Sequence, residues 1–371
     1  MPSLWGCFVQ GARFRVLVIN PGSATTKFAV YLCDKPQLVR NISHTDAEMA
    51  PFRGRPILDQ IDFRQSTIER VLLEEGAPLN GFDAVVGRGG LTRGLPSGTY
   101  RVNQEILEDL RLARYGEHAS NLGAFLAQRL AARSGCGSFV VDPVGVDEWS
   151  EVARISGSAL VERHLLCHAL NTKAVARRYA REHGEAYSNL RLVVAHLGSG
   201  ISISAHQGGR MVDANNAGSE GTFSTERSGG LPLLKVIQLC YSGRYTEDEL
   251  WNLLNREGGI YSYLGTKDLR EVEERIAAGD TQARLIFDAM IYQVAKDIGQ
   301  MATVLGGHVD AILLTGGMAH SSKLVAQLKD AIAWIAPITV YPGEDELQAL
   351  AEGALRVLKG EEEARELIAQ V

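Results

Sequence analysis

Short runs of apolar residues, each closed by a turn of glycine, proline or small polar residues, alternate along this chain with segments whose apolar residues recur every three or four positions. The first pattern is typical of buried β-strands and the second of amphipathic helices. We expect strands within 16–32, 82–90, 138–148, 190–216 and 309–320. We expect helices within 103–114, 119–133, 168–182, 281–305 and 346–359. Such an alternation predicts an α/β protein.

Two of the strand regions share one plan. VINPGSATTKFAV near the start of the chain and VAHLGSGISISAH near its middle each place a turn of small polar residues between two β-runs. Hairpins with glycine turns are common, so the similarity alone is weak evidence. The alternative is that the chain contains two related α/β halves that face each other. Residues suited to binding or catalysis in both turns would support this alternative.

Length and composition are those of an ordinary soluble protein. The chain has 371 residues, of which 45% are hydrophobic and 22% charged, and its net charge is -6. Because single cores stop growing near ~250–300 residues, we expect two domains. The acidic balance argues against a general nucleic-acid surface or a surface for anionic membranes. No apolar run approaches the ~20 residues that a membrane span needs.

The cysteines are far apart and form no C-x-x-C pair: Cys7, Cys33, Cys136, Cys167 and Cys240. We therefore expect neither a disulfide framework nor a thiolate zinc site, and a reducing, cytoplasmic location fits best. The opening MPSLWGCFVQGARF lacks a basic n-region and a small-residue cleavage site. We interpret residues 1–13 as a loose extension or an over-early start rather than a signal peptide.

The two turns contain more hydroxyl and glycine residues than a hairpin needs. The first contains Asn20, Ser23, Thr25 and Lys27, and the second contains Gly198, Ser199 and Gly200. Consecutive N–H groups in such turns form a concave anion site, and hydroxyl groups add donors. The pair could hold a polyphosphate from two sides, whereas each alone is more readily explained as a structural hairpin. The chain has no Walker A or G-x-G-x-x-G sequence, so a nucleotide would not bind on a P-loop or Rossmann unit.

Two arginines lie in glycine-rich settings. Arg88 ends an apolar strand before two glycines, and Arg227 lies within FSTERSGGLP. Arginine in such loops suits a bidentate grip on carboxylate or phosphate. The alternative for either arginine is a solvated or salt-bridged surface residue. This alternative is less suitable for Arg88, because Arg88 lies at the end of an apolar strand.

Histidines provide further candidates. His118 precedes a helix, and His196 ends the strand VVAH immediately before the second turn, where it faces whatever that turn binds. Most isolated histidines are structural, and that alternative stays open for His118. The segment HLLCH places His164 and His168 at zinc-helix spacing but lacks the glutamate of H-E-x-x-H, so we reject a zinc protease.

Carboxylates and glycines end other strands. Asp142 closes a strand, and Glu346 lies at a loop-to-helix junction. Carboxylates at the carboxyl ends of strands are natural partners for Mg²⁺, although an acid at a helix start is also favoured by the helix dipole. Gly316 and Gly317 permit close approach of a flat ligand such as adenosine, or form a plain turn. YLGTKDLREVEE could be only a capped helix start.

These stretches together resemble the acetate and butyrate kinase family, which lies within the actin, hexokinase and heat-shock-ATPase group of nucleotide-binding folds. The likeness runs from Arg15 to about Gly360 and is greatest to the butyrate kinases of that family. It is carried, in family order, by INPGSATTK, GRGGL, GEHASNLGA, VVDPVGVDE, HALNTKAVAR, VAHLGSGISISAH, TERSGGLP, YLGTKDLREV and LLTGGMAH. One such motif is weak evidence, whereas the ordered series is specific.

The resemblance implies two actin-like (ribonuclease H-like) domains with a nucleotide cleft between them. The N-terminal domain, on the acyl and phosphate side, would cover 14–145 plus 347–371, and the C-terminal domain, on the nucleotide side, 146–346. Closure about the cleft on ligand binding is the expected motion. The family analogy also suggests a homo-oligomer.

The resemblance also implies roles for individual residues. Asn20, Ser23, Thr25 and Lys27 would lie on the first phosphate hairpin, and His196, Gly198 and Gly200 on the second. Arg88 and Arg227 would bracket the acyl carboxylate and the phosphoryl group, with His118 and His168 beside them. Asp142 and Glu346, with Asn20, would hold or orient Mg²⁺. Asp268, Arg270, Gly316 and Gly317 would surround the adenosine of ATP.

The implied reaction is butanoate plus ATP giving butanoyl phosphate plus ADP, by direct in-line transfer. Acetate, propionate or isobutyrate are the alternative substrates, and an ATP-binding regulator without transfer chemistry is the alternative of another class. Acetate kinases place bulky valines after the arginine, whereas Gly89 and Gly90 follow Arg88, from which we expect room for a longer acyl tail. GEDELQA departs from the family pattern and leaves open whether Glu344 or Glu346 is the metal-associated acid.

Overall fold

The computed structural model describes residues 13–369, which form two compact units. The N-terminal unit comprises the described residues of Met1–Val146 and Asp345–Val371, and the central unit comprises Asp147–Glu344. The chain returns to the N-terminal unit at Asp345 rather than at 347, because the helix that begins at Glu346 packs on the first sheet. The expected terminal extension lies outside the described residues, except for Arg13.

A six-stranded mixed sheet forms the core of the N-terminal unit. Its strands are β1 (Arg15–Pro21), β2 (Thr25–Leu32), β3 (Lys35–Ser43), β4 (Ala84–Arg88), β5 (Thr99–Arg101) and β6 (Gly137–Val141). The order across the sheet is β3-β2-β1-β4-β6-β5. β1 pairs antiparallel with β2 and parallel with β4, and β4 pairs parallel with β6. The apolar runs of β1 and β4 are buried, as expected for central strands covered on both faces.

The central unit is built on a five-stranded sheet. Its strands are β7 (Leu192–Leu197), β8 (Ile201–Gln207), β9 (Arg210–Ala214), β10 (Ala311–Gly316) and β11 (Ile338–Pro342). The order is β11-β10-β7-β8-β9. β7 pairs antiparallel with β8 and parallel with β10, and β8 pairs antiparallel with β9. This arrangement repeats that of β1 to β4 in the other unit, so the two turn motifs occupy equivalent hairpins.

Helices cover the sheets of both units. In the N-terminal unit they are α1 (Asp46–Met49), α2 (Ile61–Glu74), α3 (Gln104–Arg111), α4 (Leu122–Ser134) and α13 (Glu346–Leu358). In the central unit they are α5 (Glu151–Arg154), α6 (Ala169–Glu182), α7 (Leu233–Cys240), α8 (Glu247–Asn255), α9 (Gly259–Leu264), α10 (Leu269–Ala277), α11 (Thr281–Val304) and α12 (Ser322–Ile332). Side chains of Asn103, Asp280 and Ser321 accept backbone N–H bonds at helix starts, which satisfies donors that the helix leaves unpaired.

Two glycines let α4 lie directly on β4. A Cβ at Gly87 would lie 2.0 Å from the carbonyl oxygen of Gly123, and a Cβ at Gly123 would lie 2.2 Å from the carbonyl oxygen of Arg88. Only glycine permits such an approach of two backbones. The contact holds the carboxyl end of β4, and therefore Arg88, against the first turn of α4.

The elements expected from the apolar pattern are all present. The segment 190–216 contains three strands rather than two, and YLGTKDLREVEE is a capped helix start in which the side chain of Asp268 accepts the N–H of Arg270. The α/β class is therefore confirmed. Among residues 13–369, no helix combines the length and apolar character that a membrane span requires.

Candidate functional site

The turn between β1 and β2 presents its polar groups at the surface. Ser23 and Lys27 are exposed and Thr25 is half-buried. Asn20 and Lys27 are cross-strand partners. The N–H of Gly22 donates to the carbonyl of Thr25 at 2.8 Å, which closes the turn. The structure thus brings together the four residues that the sequence assigned to a phosphate hairpin.

Arg88 and Asn20 share one carboxylate. Asn20 Nδ2 donates to Glu346 Oε2 at 2.6 Å, and Arg88 Nη1 forms an ion pair with Glu346 Oε1. The side chains of Arg88 and Glu346 are only 14% and 16% exposed. Glu346 is the first residue of α13, where the helix dipole favours an acid. It also lies beside the first hairpin, so the two interpretations of this residue are compatible.

Glu344 lies in a different place. It is the last residue of the central unit, and its Oε1 lies 3.1 Å from His196 Nε2. The sequence left open which glutamate would associate with a metal ion. Glu346 contacts Asn20, the other residue that the resemblance assigns to Mg²⁺, through the amide Nδ2, which is a donor and not a metal ligand. Mg²⁺ prefers oxygen ligands and is bound by one or two protein carboxylates together with water and phosphate oxygens. Among the described residues no cluster of three or more His, Cys, Asp or Glu side chains is present, as that mode of binding allows.

Asp142 has a strained backbone. It follows β6 with φ of +38°, in the left-handed region that non-glycine residues seldom occupy, and it is 1% exposed. Its Oδ1 accepts the hydroxyl of Ser97 at 2.5 Å and the N–H of Gly98 at 2.8 Å. Such strain persists where surrounding contacts hold a residue in place, and it is common at functional sites.

His118 is exposed and precedes a short 3₁₀ turn, Ala119–Asn121. Its Nδ1 accepts the N–H of Ser120 at 3.2 Å and lies 2.8 Å from the hydroxyl oxygen of that serine. Because Nδ1 accepts, the neutral ring carries its proton on Nε2. His118 therefore caps a turn, and its geometry adds a donor at Nε2.

His196 of the second hairpin stacks on His168, the residue that precedes α6. The rings of His168 and His196 are parallel within 11°, with centroids 3.9 Å apart. His196 Nδ1 lies 2.8 Å from Asn171 Oδ1, and His168 Nδ1 lies 2.9 Å from Ser202 Oγ. Within residues 13–369, His196 Nε2 is buried and has no hydrogen-bond partner, although Glu344 Oε1 lies 3.1 Å away. The absence of a Cβ at Gly198, which would lie 3.0 Å from this nitrogen, leaves the atom open toward the turn.

Arg227 packs on the same turn. A Cβ at Gly200 would lie 2.6 Å from Arg227 Nη1, so the glycine makes room for the guanidinium. Nη1 also donates to the carbonyl of Ala217 at 3.1 Å. Burial lowers the pKa of Arg227, while the nearby Glu226 opposes this shift. Arg227 is thus a partly desolvated cation beside an anion-binding type of turn.

An open cavity of about 970 Å³ lies in the central unit. Its lining includes the predicted residues Gly198, Asp268, Arg270 and Gly317. A volume of this order is large enough for a nucleotide-sized ligand. Gly316 is not part of this lining. Its φ is +89°, and a Cβ on Gly316 would lie 2.4 Å from the carbonyl oxygen of Leu197, so the glycine lets β10 approach Leu197.

Asp268 and Arg270 bind each other at the cavity wall. Arg270 Nη2 lies 2.6 Å from Asp268 Oδ2. The hydrogen bonds from the side chain and N–H of Arg270 lower the pKa of Asp268 to about 2. Both residues are at the surface, so a nucleotide would have to compete with this pair for them.

The glycines after Arg88 do not leave space for an acyl tail. A Cβ at Gly89 would lie 2.3 Å from Cβ of Pro143, and a Cβ at Gly90 would lie 2.3 Å from Oδ1 of Asn121. The volume that a branched side chain would need is already filled by these neighbours. The expectation that the two glycines open the pocket is therefore wrong, and their role is close packing.

Arg64 belongs to none of the motifs that predict site residues. It is 0% exposed, and its guanidinium contacts the first hairpin. A signal was present in the chain, since Ile61, Ile68 and Leu72 form the buried face of α2 and Arg64 lies at the same helical spacing. A charged residue on an apolar helix face requires polar partners inside the protein.

Comparisons with known proteins show the family of this chain. The model of the acetokinase family matches residues 158–347. Butyrate kinase 2 of Clostridium acetobutylicum is 46% identical over 354 residues, which are 95% of this chain and 99% of that protein. A probable butyrate kinase of Listeria monocytogenes is 48% identical over the same shares of the two chains.

Solved structures show the fold. Acetate kinase of Porphyromonas gingivalis superposes with a TM-score of 0.75 at 19% identity, covering 93% of this chain and 100% of that one. A propionate kinase of Francisella tularensis gives a TM-score of 0.72 at 19% identity, covering 91% and 98%. The fold is therefore the α/β fold of two actin-like domains expected from the motifs, and the chain belongs to the acetokinase family.

Proposed function

We propose that this protein is a carboxylate phosphotransferase that converts butanoate and ATP to butanoyl phosphate and ADP by direct in-line transfer. The observation that carries the proposal is the cluster of Arg88, Glu346 and Asn20 beside the hydroxyl-rich turn. It provides a cation, an acid and an amide where an anionic acceptor and a phosphate would meet. The identity of 46–48% with butyrate kinases over 95% of the chain supports butanoate as the acceptor.

The chemistry requires charge neutralisation rather than a strong base. A carboxylate is ionised at neutral pH and is already a nucleophile. The barrier arises because two anions must approach in line, so catalysis depends on positioning and on compensating charges. Arg88 and Arg227 would supply positive charge, and the N–H and hydroxyl groups of both hairpin turns would supply donors.

In the N-terminal unit, Asn20, Ser23, Thr25 and Lys27 would bind phosphate oxygens and Arg88 would bind the acyl carboxylate. Asn20 Oδ1 and the Glu346 carboxylate would hold Mg²⁺, and Asp142, in the same unit, would be an orienting acid. When bound with ATP, the ion would neutralise charge on the transferred phosphate. His118 would donate from Nε2 to the acceptor.

In the central unit, Gly198 and Gly200 would let phosphate oxygens approach the second turn. Arg227 would neutralise the transferring group, and His196 Nε2, held from behind by the Asn171 contact at Nδ1, would face the same group. His168 would support His196 through ring stacking. Asp268, Arg270, Gly316 and Gly317 would surround the adenosine at the cavity.

Acetate, propionate and isobutyrate are alternative acceptors. Each buried methylene contributes about 0.8 kcal/mol, so an apolar pocket separates neighbouring chain lengths only modestly. Hydroxamate trapping of the acyl phosphate, with the four acids compared at equal concentration, tests the proposal. We expect the highest kcat/KM with butanoate. A preference for acetate overturns the substrate, and nucleotide binding without acid-dependent release of ADP would indicate a regulator instead.

We also propose that the protein is a cytoplasmic homo-oligomer. Exposed apolar side chains on and beside α7, namely Leu233, Leu234 and Tyr241, are 70%, 74% and 89% exposed. Large exposed apolar side chains are often found at interfaces. Among the described residues, Cys136, Cys167 and Cys240 are free thiols, which suits a reducing compartment.

A further inference from the structure

Arg64 lies beneath the first hairpin turn with no exposed surface. Its Nη2 donates to the carbonyl of Ser23 at 2.9 Å, and its Nη1 donates to the carbonyl of Thr25 and to the hydroxyl of Thr26, the latter at 2.9 Å. The remaining donors go to Gln60 Oε1, at 2.8 Å from Nη2 and 3.2 Å from Nε. These are neutral acceptors, so the guanidinium brings a positive charge to the underside of the turn.

His44, the residue after β3, makes a second contact with the first hairpin turn. The N–H of His44 donates to the carbonyl of Ala24 at 2.9 Å, and His44 Nε2 lies 2.8 Å from the hydroxyl oxygen of Thr26. Because that hydroxyl accepts from Arg64, its proton is available to Nε2, which suits a neutral His44. Burial and the charge of Arg64 lower the pKa of His44, consistent with the neutral ring.

The direction of the carbonyls fixes the direction of the amides. In a planar trans peptide, the C=O of one residue and the N–H of the next point to opposite sides. The carbonyl of Ser23 points at Arg64, so the N–H of Ala24 points away from it. The carbonyl of Ala24 points at His44, so the N–H of Thr25 points away from that residue. The N–H groups of these two successive residues are therefore turned away from Arg64 and from His44, respectively.

We propose that Arg64 is a positioning residue for phosphate. By fixing the carbonyls of Ser23 and Thr25, it holds the turn in the conformation whose N–H and hydroxyl groups would receive phosphate oxygens, and its buried charge would favour the bound anion. Although burial lowers the pKa of Arg64 to about 10, the guanidinium stays protonated at neutral pH. This inference depends on the proposed function in one respect, because it takes the bound phosphate to be part of a nucleotide.

The test compares Arg64→Lys and Arg64→Gln with Arg70→Gln. Arg70 lies on the same helix, is exposed and pairs only with Glu74 among the contacts described, at 3.0 Å. Lysine retains the charge but not the planar fork, so we expect Arg64→Lys to raise the KM for ATP about tenfold or more, with the KM for butanoate within about twofold. Arg64→Gln should have a larger effect, and Arg70→Gln none.

Titration of the folded variants with ATP by calorimetry separates this inference from the proposed reaction, because binding needs no acyl substrate. A weakened ATP affinity in Arg64→Lys supports the inference even if butanoate proves not to be the acceptor. ATP affinity and KM within about twofold of wild type overturn it. Should Arg64→Gln not fold, Thr26→Val provides the second variant, since it removes only the hydroxyl that Arg64 and His44 share. It should weaken ATP binding in the same direction, and unchanged binding counts against the inference.

Discussion

Arg88 and Glu346 form an ion pair between the last residue of β4 and the first residue of α13, although 258 positions separate them. Both side chains are largely buried, and the other carboxylate oxygen of Glu346 binds Asn20 at 2.6 Å. One carboxylate therefore connects the predicted phosphate hairpin, the predicted acyl-binding arginine and a helix start. Removal of its charge should affect all three.

We expect Glu346→Gln to raise the Mg²⁺ concentration for half-maximal rate by about tenfold or more, because the amide keeps the shape but loses the charge that binds the ion. The measurement is the initial rate against Mg²⁺ at fixed ATP. Glu361→Gln is the matched control, because Glu361 is exposed and its ion pair with Lys359 is long, at 4.0 Å. An unchanged Mg²⁺ dependence in Glu346→Gln would remove this residue from the metal site.

Gly200→Ala should reduce activity without unfolding the protein. The new methyl group would lie 2.6 Å from Arg227 Nη1, and a flexible side chain can move away at little cost in stability. A misplacement of about 1 Å at a reacting centre costs about 100-fold in rate, so we expect a fall in kcat of this order. The thermal midpoint should stay close to that of Gly157→Ala, where the added methyl group meets open space. A normal kcat would show that Arg227 is not needed in its present position.

Gly90→Ala, unlike Gly200→Ala, should lower the stability of the protein. Its Cβ would lie 2.6 Å from Cα of Asn121, and backbone cannot move as a side chain can. Overpacking costs about 1–3 kcal/mol, which corresponds to a thermal midpoint lower by about 2–12 °C. Differential scanning calorimetry of Gly90→Ala beside Gly157→Ala measures this difference. Equal midpoints would mean that the space beside Arg88 is less filled than the structure indicates.

Stability should fall with acid because of His206. This ring is fully buried between Tyr187 and Ser204, and burial, followed by the charges of Lys173 and Arg177, lowers its pKa well below 6.5. The unfolded chain then binds a proton that the folded chain excludes, so the free energy of unfolding decreases as pH drops below about 6.5, by at most about 1.4 kcal/mol per pH unit for one group.

Urea unfolding between pH 7.5 and 5 measures this slope. His206→Gln should be less stable at neutral pH but should show a smaller loss on acidification than wild type. His44, whose pKa is also lowered, contributes in the same direction and should retain part of the slope. If both proteins lose stability equally over this range, His206 is not the group responsible.

Much of the fold follows from local pattern. Strands such as AVVGR and AILLTG are short apolar runs closed by a charge or by glycine, and Gly198-Ser199-Gly200 marks a turn by its composition alone. The candidate residues at those strand ends were found for the same reason, because strand ends and turns are encoded by a few neighbouring residues. Asp268 illustrates the limit, since the same short stretch predicts both a helix cap, which the structure contains, and a binding residue at the cavity.

The sequence by itself determined the α/β class, the two hairpins and the polar residues that they carry. Only the tertiary structure decided which partners these residues meet: Glu346 rather than Glu344 for Arg88, Asn171 for His196, and the packing of Gly89 and Gly90 against Pro143 and Asn121. The physical reason is that apolar periodicity and turn propensity depend on residues within a few positions. Contacts between residues far apart in the chain depend on the order of strands in a sheet and on backbone approach, which no local pattern encodes.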